Sequence, residues 1–350
     1  MRVPVLLSAL FTRLSTLPAR ADLSDIAQAL AAHPAIPGAA VGMVSPVGQD
    51  IAVAGLRRID GGTPVEPDDL WHLGSLTKSM TATLAARMVE AGDIEWHTTI
   101  GAALGDLVPG MRDAWRDVTL EELLRHASGM RANLGIIAAS RLGDGPRSAY
   151  VEQVLGLAPR HARGGFHYSN AGYVVAGAML EAAGGAPWEN LIATRVFRPL
   201  HMDSAGFGPP LGDQPLGHRA PLIGGLRAVP PGPRADNISA LGPAGRVHLS
   251  TADMLRYLAA HVQRDPMFLS AESWDKLHRA AGPGDYALGW AEVDGILRHS
   301  GSNTMWFANA RFDPARGCAS FVAVNSAAMG LVDGVVTQAG DAVFRLACGD

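Results

Sequence analysis

Apolar residues between Trp71 and Gly92 recur every four positions at Leu76, Met80, Leu84 and Met88, with Ala82, Ala85, Ala86 and Val89 on the flanks. That period predicts a buried helix of about four turns, closed by Gly92. Upstream, Leu23, Ile26, Ala27 and Leu30 have helical spacing behind a Ser24 cap, and Pro34 and Pro37 stop the helix. Ala39 to Ser45 and Asp50 to Leu56 read as two strands joined in a hairpin at Pro46-Val47-Gly48. Thr119 opens a capping-box pattern with Glu122 ahead of Leu123 and Leu124, predicting a short helix that ends near Ser128-Gly129. Asn170 to Ala183 predicts a helix stopped by Gly184-Gly185, and another starts near Pro187 and reaches about Val196. Ser250 or Thr251, and then Ser270, cap helices that run to about His261 and Ala280. After Gly282-Pro283-Gly284 the period becomes that of strands, at Ala287 to Val293, Ile296 to His299, Met305 to Phe312 and Ala319 to Val324. Leu331 to Leu346 closes the chain as a helix.

Strands at both chain ends with a helical middle predict a mixed α/β fold. Its antiparallel sheet would draw on residues from about 22–74 and 285–350, with a mostly helical and loop region inserted over about 75–284. Residues 22–350 then form a single unit. The least regular stretch, Gly206 to Gly245, carries Gly208-Pro209-Pro210 and Pro230-Pro231-Gly232-Pro233. A loop of that length is expected either to cover a pocket as ordered chain or to be a disordered insertion, and cover is the favoured expectation.

Composition narrows the partners. A net charge of -4, with no basic run interleaved by aromatics, argues against nucleic acid as a partner. No run of 18 apolar residues predicts a membrane span. Residues 1–21 have the shape of an export signal. Arg2 precedes an apolar run from Val3 to Phe11, and Ala19-Arg20-Ala21 offers a small-residue cleavage site, although Arg13 interrupts the pattern. A periplasmic or secreted protein is expected on that basis, with a frayed first helix in a cytoplasmic protein as the alternative. Cys318 and Cys348 can be a disulfide or two buried thiols, and buried thiols are the expectation.

Candidate chemistry centres on Ser75 and Lys78, three residues apart and so on one helix face. The chain has two lysines and nineteen serines in 350 residues, so chance would supply only about 0.1 Ser-x-x-Lys pairs. A lysine one turn into an apolar helix should have a lowered pKa, which suits a base beside a serine nucleophile. The plain alternative is an exposed lysine beside an N-cap serine. Tyr168-Ser169-Asn170 stands at the turn before a helix and is about as improbable by chance. His299-Ser300-Gly301 is weaker, because His-x-Gly recurs at His72-Leu73-Gly74. His126 alone is more often structural than catalytic. There is no His-Glu-x-x-His, Cys-x-x-Cys or Gly-x-Ser-x-Gly, so neither a zinc site nor a hydrolase nucleophile elbow is indicated, and no cofactor or metal is expected.

Ser75-Leu76-Thr77-Lys78, Tyr168-Ser169-Asn170 and His299-Ser300-Gly301, in that order, resemble the three motifs of the serine beta-lactamase-related family. That family includes class C beta-lactamases, D-alanyl-D-alanine carboxypeptidases, D-aminopeptidases and lactamase-like esterases. The resemblance extends from about Ser24 to Ala347. It implies a beta-lactamase/transpeptidase-like fold and an acyl-enzyme on Ser75, with Lys78 as base. It further implies that Tyr168 relays the proton near its ionised form, and that Asn170 bonds the lysine and the substrate. His299 and Gly301 would line the substrate site, and the N–H groups of Ser75 and Ser302 would hold the oxyanion. The histidine in place of a lysine at the third motif points toward the peptidase and esterase branches. The expected substrate is a small ester or a D-amino-acid peptide. A beta-lactam, or a sensor that binds penicillin without turnover, is the alternative.

Overall fold

The computed structural model describes residues 22–350 apart from 222–224, 233–234, 283 and 329. The export signal expected over residues 1–21 lies outside the described residues.

Helix α1 (Leu23–Ala31) starts from Asp22 instead of Ser24. The Asp22 carboxylate accepts the Asp25 N–H at 2.9 Å, and the Asp25 carboxylate accepts the Asp22 N–H at 3.1 Å. Carboxylates at the positive helix end satisfy two free donors, and the Ser24 hydroxyl is left to accept from Gln28. Strands β1 (Gly38–Ser45) and β2 (Gly48–Gly55) form the expected hairpin, with Ser45 opposite Gly48.

The central stretch holds the expected helix of about four turns, preceded by a short strand. Residues Leu70–His72 form strand β3, which pairs with β4 (Val247–Ser250). Gly74, at φ +51°, then turns the chain, one 3₁₀ turn follows over Gly74–Leu76, and helix α2 runs only from Thr77 to Glu90. Pairing with β4 takes Trp71 and His72 out of the helical period. Almost every residue of α2 up to Met88 is buried, hydroxyls included. Those hydroxyls are satisfied internally, Ser79 and Thr81 donating to the carbonyls of Leu76 and Pro243 at 2.8 and 2.7 Å.

The middle of the chain holds α3 (Leu120–Leu124), with the predicted Thr119/Glu122 capping box, and α4 (Asn170–Gly184). Helices Ile136–Leu142 and Arg147–Leu155 fall where no element was predicted. The first buries none of its residues, so it has no apolar stripe to betray it. Helix α5 (Thr251–Gln263) starts from Ser250 as expected.

Among the described residues a six-stranded antiparallel sheet joins β1 and β2 to β5 (Ala291–Val293), β6 (Ile296–Ser302), β7 (Phe307–Asp313) and β8 (Cys318–Val324). The order is β2-β1-β8-β7-β6-β5. Both chain ends therefore build one sheet, with Ala39 of β1 opposite Val324 of β8. The two faces follow the strand period. Val41, Val322 and Val324 share a core with α1 and the closing helix α6 (Asp333–Cys348). Ala40, Phe321 and Ala323 pack instead into the larger core with α5 and the helical region.

The expectation of two separate buried thiols is corrected: Cys318 and Cys348 form a disulfide, with Cα atoms 5.3 Å apart. Helix α6 lies along β8, so its last turn reaches the first residue of that strand. The strand expected from Ala287 begins only at Ala291, because the Ala287 N–H closes a turn on the Trp290 carbonyl at 2.8 Å. Among the described residues no helix is long and apolar enough to cross a membrane.

Candidate active site

Strand β6 presses against the turn that carries Ser75. A methyl group at Gly301 would lie 2.0 Å from the Leu73 carbonyl oxygen and 2.7 Å from the Ser75 nitrogen, and one at Gly74 would lie 2.3 Å from the Ser302 nitrogen. Such distances exclude any side chain at either position. Gly301 thus acts by its lack of bulk, and the backbones of Ser75 and Ser302 are brought together.

Lys78 has no exposed surface. Its Nζ donates to Ser75 Oγ at 3.1 Å and to the Ala244 carbonyl at 2.6 Å. The rings of Tyr168 and Tyr173 lie 4.8 and 5.6 Å from the nitrogen. Burial holds the Lys78 pKa well below the usual lysine range. The competing terms have different sizes: an aromatic face returns about 2 kcal/mol to a desolvated cation, whereas removing an ammonium from water costs several kcal/mol. Desolvation is the larger of the two and favours the neutral amine.

Tyr168 stands just ahead of α4, and its ring is packed on His126, 4.3 Å between centroids. His126, itself at φ +60°, accepts the Ser169 N–H on Nδ1 at 3.0 Å and so fixes the turn carrying Tyr168. That is the structural role expected for it. Burial raises the Tyr168 pKa, and the Ser75 hydroxyl beside it lowers it by less. That shift is away from the near-ionised form expected. Asn170 also departs from expectation. Its Nδ2 donates to Asn133 Oδ1 at 2.9 Å, and the lysine has the Ala244 carbonyl as partner.

His299 is half-buried, with its ring 6.2 Å from that of Tyr168 and Nδ1 2.7 Å from the Ser300 carbonyl. Burial, helped by Lys78, pushes its pKa down to about 3. That shift favours the uncharged ring. Ser302 lies opposite Phe307 in the sheet, and its hydroxyl is occupied, donating to the Trp306 carbonyl at 2.8 Å.

Ser75, Asn170 and Ser302 open onto one cavity of about 470 Å³. Asn133, Asn237 and Asn303 line it too, with an apolar side formed by Leu134, Ile136, Tyr150 and Leu241. Among the described residues no ionised side chain lines it. Asn237, Ile238, Leu241, Ala244 and Gly245 belong to the irregular loop, so the end of that loop, and not its described length as a whole, lines the pocket. Sequence reasoning missed Asn133, Asn237 and the Ala244 carbonyl. No residue-type signal marks a backbone acceptor, and Asp236-Asn237 at the end of a Gly/Pro-rich run was the one available hint.

A family model described as beta-lactamase matches residues 23–339. The chain belongs to the beta-lactamase family. Among its relatives, penicillin-binding protein 4 of Amycolatopsis lactamdurans is 24% identical over 341 residues, covering 90% of this chain and 86% of that protein. Esterase EstB of Burkholderia gladioli is 29% identical over 166 residues, covering 44% of this chain and 42% of the esterase. The D-amino acid amidase of Ochrobactrum anthropi SV3, solved with L-phenylalanine, shares the fold at a TM-score of 0.76. It is 18% identical, covering 93% of this chain and 96% of that one. Beta-lactamase family membership accounts for the sheet built from both chain ends and for the helical insertion.

Proposed function

We propose that the protein is a serine hydrolase that forms an acyl-enzyme on Ser75 and acts on acyl donors that carry no carboxylate near the scissile bond, either esters or D-amino-acid amides. The observation that carries this is Ser75 Oγ at 3.1 Å from the amine of a fully buried lysine, whose pKa desolvation lowers. The Lys78 amine takes the hydroxyl proton as Oγ attacks the carbonyl carbon. The carbonyl electron pair moves to oxygen, between the N–H groups of Ser75 and Ser302. Collapse of the tetrahedral species breaks the bond to the leaving group. The Tyr168 phenol donates its proton to that group and is reprotonated from Lys78. Water repeats the sequence in the second half, releasing the acid and Ser75. His299, Gly301 and Asn170 shape and orient the substrate.

The uncharged lining supports donors without a carboxylate at the reacting end, since a buried anion without a partner is costly. The named activities of the relatives, an esterase and a D-amino acid amidase, are consistent with that class. The same lining disfavours the beta-lactamase alternative, because beta-lactams carry a carboxylate. The disulfide supports an oxidising location, periplasmic or secreted.

A substrate panel tests the proposal: p-nitrophenyl acetate and butyrate, D-amino-acid p-nitroanilides, a D-Ala-D-Ala peptide and nitrocefin. Turnover of the esters or anilides, which carry no carboxylate, with little of the D-Ala-D-Ala peptide or nitrocefin, is expected. Preferred turnover of the carboxylate-bearing pair would overturn the substrate class, and binding without turnover of any would make the protein a sensor.

A further inference from the structure

We propose that the buried carboxylate of Asp236 is a positioning residue that holds both backbone segments of the oxyanion cradle at once; this rests on the acyl-transfer reading of Ser75. Asp236 comes from the irregular loop, touches neither Ser75 nor Lys78 in the contacts described above, and has a side chain only 2% exposed.

One arm runs through His72, which has no exposed surface. Its Nδ1 accepts the Gly74 N–H at 3.1 Å. A ring nitrogen that accepts a hydrogen bond is bare, so the proton of the neutral ring sits on Nε2. That nitrogen lies 2.9 Å from Asp236 Oδ1. The contact is close but bent away from the N–H direction, so the carboxylate acts on the dipole of the ring N–H more than through an aligned hydrogen bond. Gly74, set at φ +51°, immediately precedes Ser75. The tautomer of His72 thereby decides whether the Gly74 N–H has an acceptor, and the Gly74 peptide sets the direction of the Ser75 N–H.

The second arm runs through Asn303, the residue after Ser302. Its Nδ2 donates to the same Asp236 Oδ1 at 3.1 Å, and its Oδ1 accepts the N–H groups of Met305 and Trp306, each at 3.1 Å. The turn that follows the Ser302 N–H is thus tied to the carboxylate that orients His72. The arms also meet directly, the Trp306 ring being stacked on His72 at 5.7 Å. The Asn237 N–H donates to Oδ1 at 2.7 Å, and Arg246 Nε lies 3.1 Å from Oδ2. Burial raises the Asp236 pKa, but His72, Arg246 and Asn303 outweigh it and keep the group ionised.

Two donors stabilise a developing oxyanion only if both point at it to within a few tenths of an ångström, and that precision comes from the groups behind them. An amide at position 236 could turn its NH2 toward His72 and favour the other tautomer. Gly74 would then face an N–H instead of an acceptor.

The test uses the full chain with Asp236→Asn, His72→Asn, His72→Leu and Asn303→Ala, each concentration fixed by fluorophosphonate titration run to completion, so that unfolded molecules are not counted. Asp236→Asn should lower kcat for p-nitrophenyl acetate about 10- to 100-fold with KM changed less than about twofold, and weaken an arylboronic acid by the same factor. His72→Asn, whose side-chain oxygen can still accept from Gly74, should retain more kcat than His72→Leu. If Asp236→Asn yields no folded protein, Asn303→Ala takes its place, with an expected loss of about 10-fold in kcat and boronate affinity. A lower melting temperature with kcat per titrated site and boronate affinity unchanged would overturn the proposal, leaving Asp236 a structural residue. Equal losses in the two His72 variants would also overturn it. Ser75→Ala is run alongside. An active wild type that depends on Ser75 but ignores Asp236 overturns this proposal alone. A wild type that neither labels nor turns over overturns the acyl-transfer reading, and this proposal with it.

Discussion

Lys78 and Asp236 both act on the turn that carries Ser75, the first through the serine hydroxyl and the second through His72 and the Gly74 N–H. Both are buried, yet burial has opposite outcomes for them. Lys78 is surrounded by aromatic rings and a backbone carbonyl and has no carboxylate partner among the described residues, so desolvation dominates and favours the neutral amine. Asp236 is surrounded by an imidazole, a guanidinium and two amide donors, so pairing dominates and the carboxylate stays charged. A base has to be free to accept a proton, whereas a positioning group needs fixed charge. The partners supplied to each group, and not burial itself, make that division.

Removing the unpaired member should have the largest effect. Lys78→Met is expected to lower kcat/KM for p-nitrophenyl acetate about 10³-fold or more while raising stability at neutral pH by about 1 kcal/mol, read by urea unfolding. The sign follows from the lowered pKa. The penalty of burying the lysine is full below its folded pKa and disappears as pH rises past the ordinary lysine value, so the gain from Lys78→Met should shrink at high pH. A destabilised variant would show that the amine is compensated after all.

The next change is remote from both groups and serves as the control. Cys348→Ser opens a disulfide spanning 30 residues and should cost about 3–4 kcal/mol of stability. The pH midpoint of kcat/KM should not move. A shift would mean that the site feels the sheet's packing, and that the Lys78 side is less insulated than its geometry indicates.

On the paired side the sign reverses. Asp236→Asn should destabilise by about 2–3 kcal/mol at neutral pH, because a depressed carboxylate pKa contributes stability above the ordinary aspartate range. That contribution is lost as pH falls through the lowered value, so wild type and variant should converge in acid. Unfolding curves that differ by the same amount at all pH values would remove Asp236 from the charged class.

The smallest effect belongs to His299. With its pKa pushed down to about 3, His299→Gln should leave the acid limb of kcat/KM for a neutral ester unchanged between about pH 5 and 9. A limb that moves would show that the imidazole titrates during turnover.

The division between the two groups also marks what could be read in the sequence. Ser75, Lys78 and Tyr168 carry their spacing in the chain, and the apolar period of α1 and the cap of α5 are legible there too. The start of α2 is not, since the pairing of Trp71 with Leu249 in β4 is a contact across 178 positions that no local period reports. Asp236 stands in a loop without period, far along the chain from His72. His72 even looked like the accidental match to His-x-Gly that weakened the third motif. The Asn170 partner and the raised pKa of Tyr168 depend on which groups burial brings together, which spacing alone does not encode. Cys318 and Cys348 meet because α6 lies along β8, a packing result in the same sense.

The central claim is that Lys78 activates Ser75 by remaining neutral. Its most direct test is the rate of fluorophosphonate labelling against pH, with the modified residue located by peptide mass, in wild type, Ser75→Ala and Lys78→Met. The account predicts one label, on Ser75, absent in Ser75→Ala and slowed at least about 10³-fold in Lys78→Met, with a wild-type rate that falls as acid protonates the lysine. A label on another residue, or a rate in Lys78→Met equal to wild type, would contradict it.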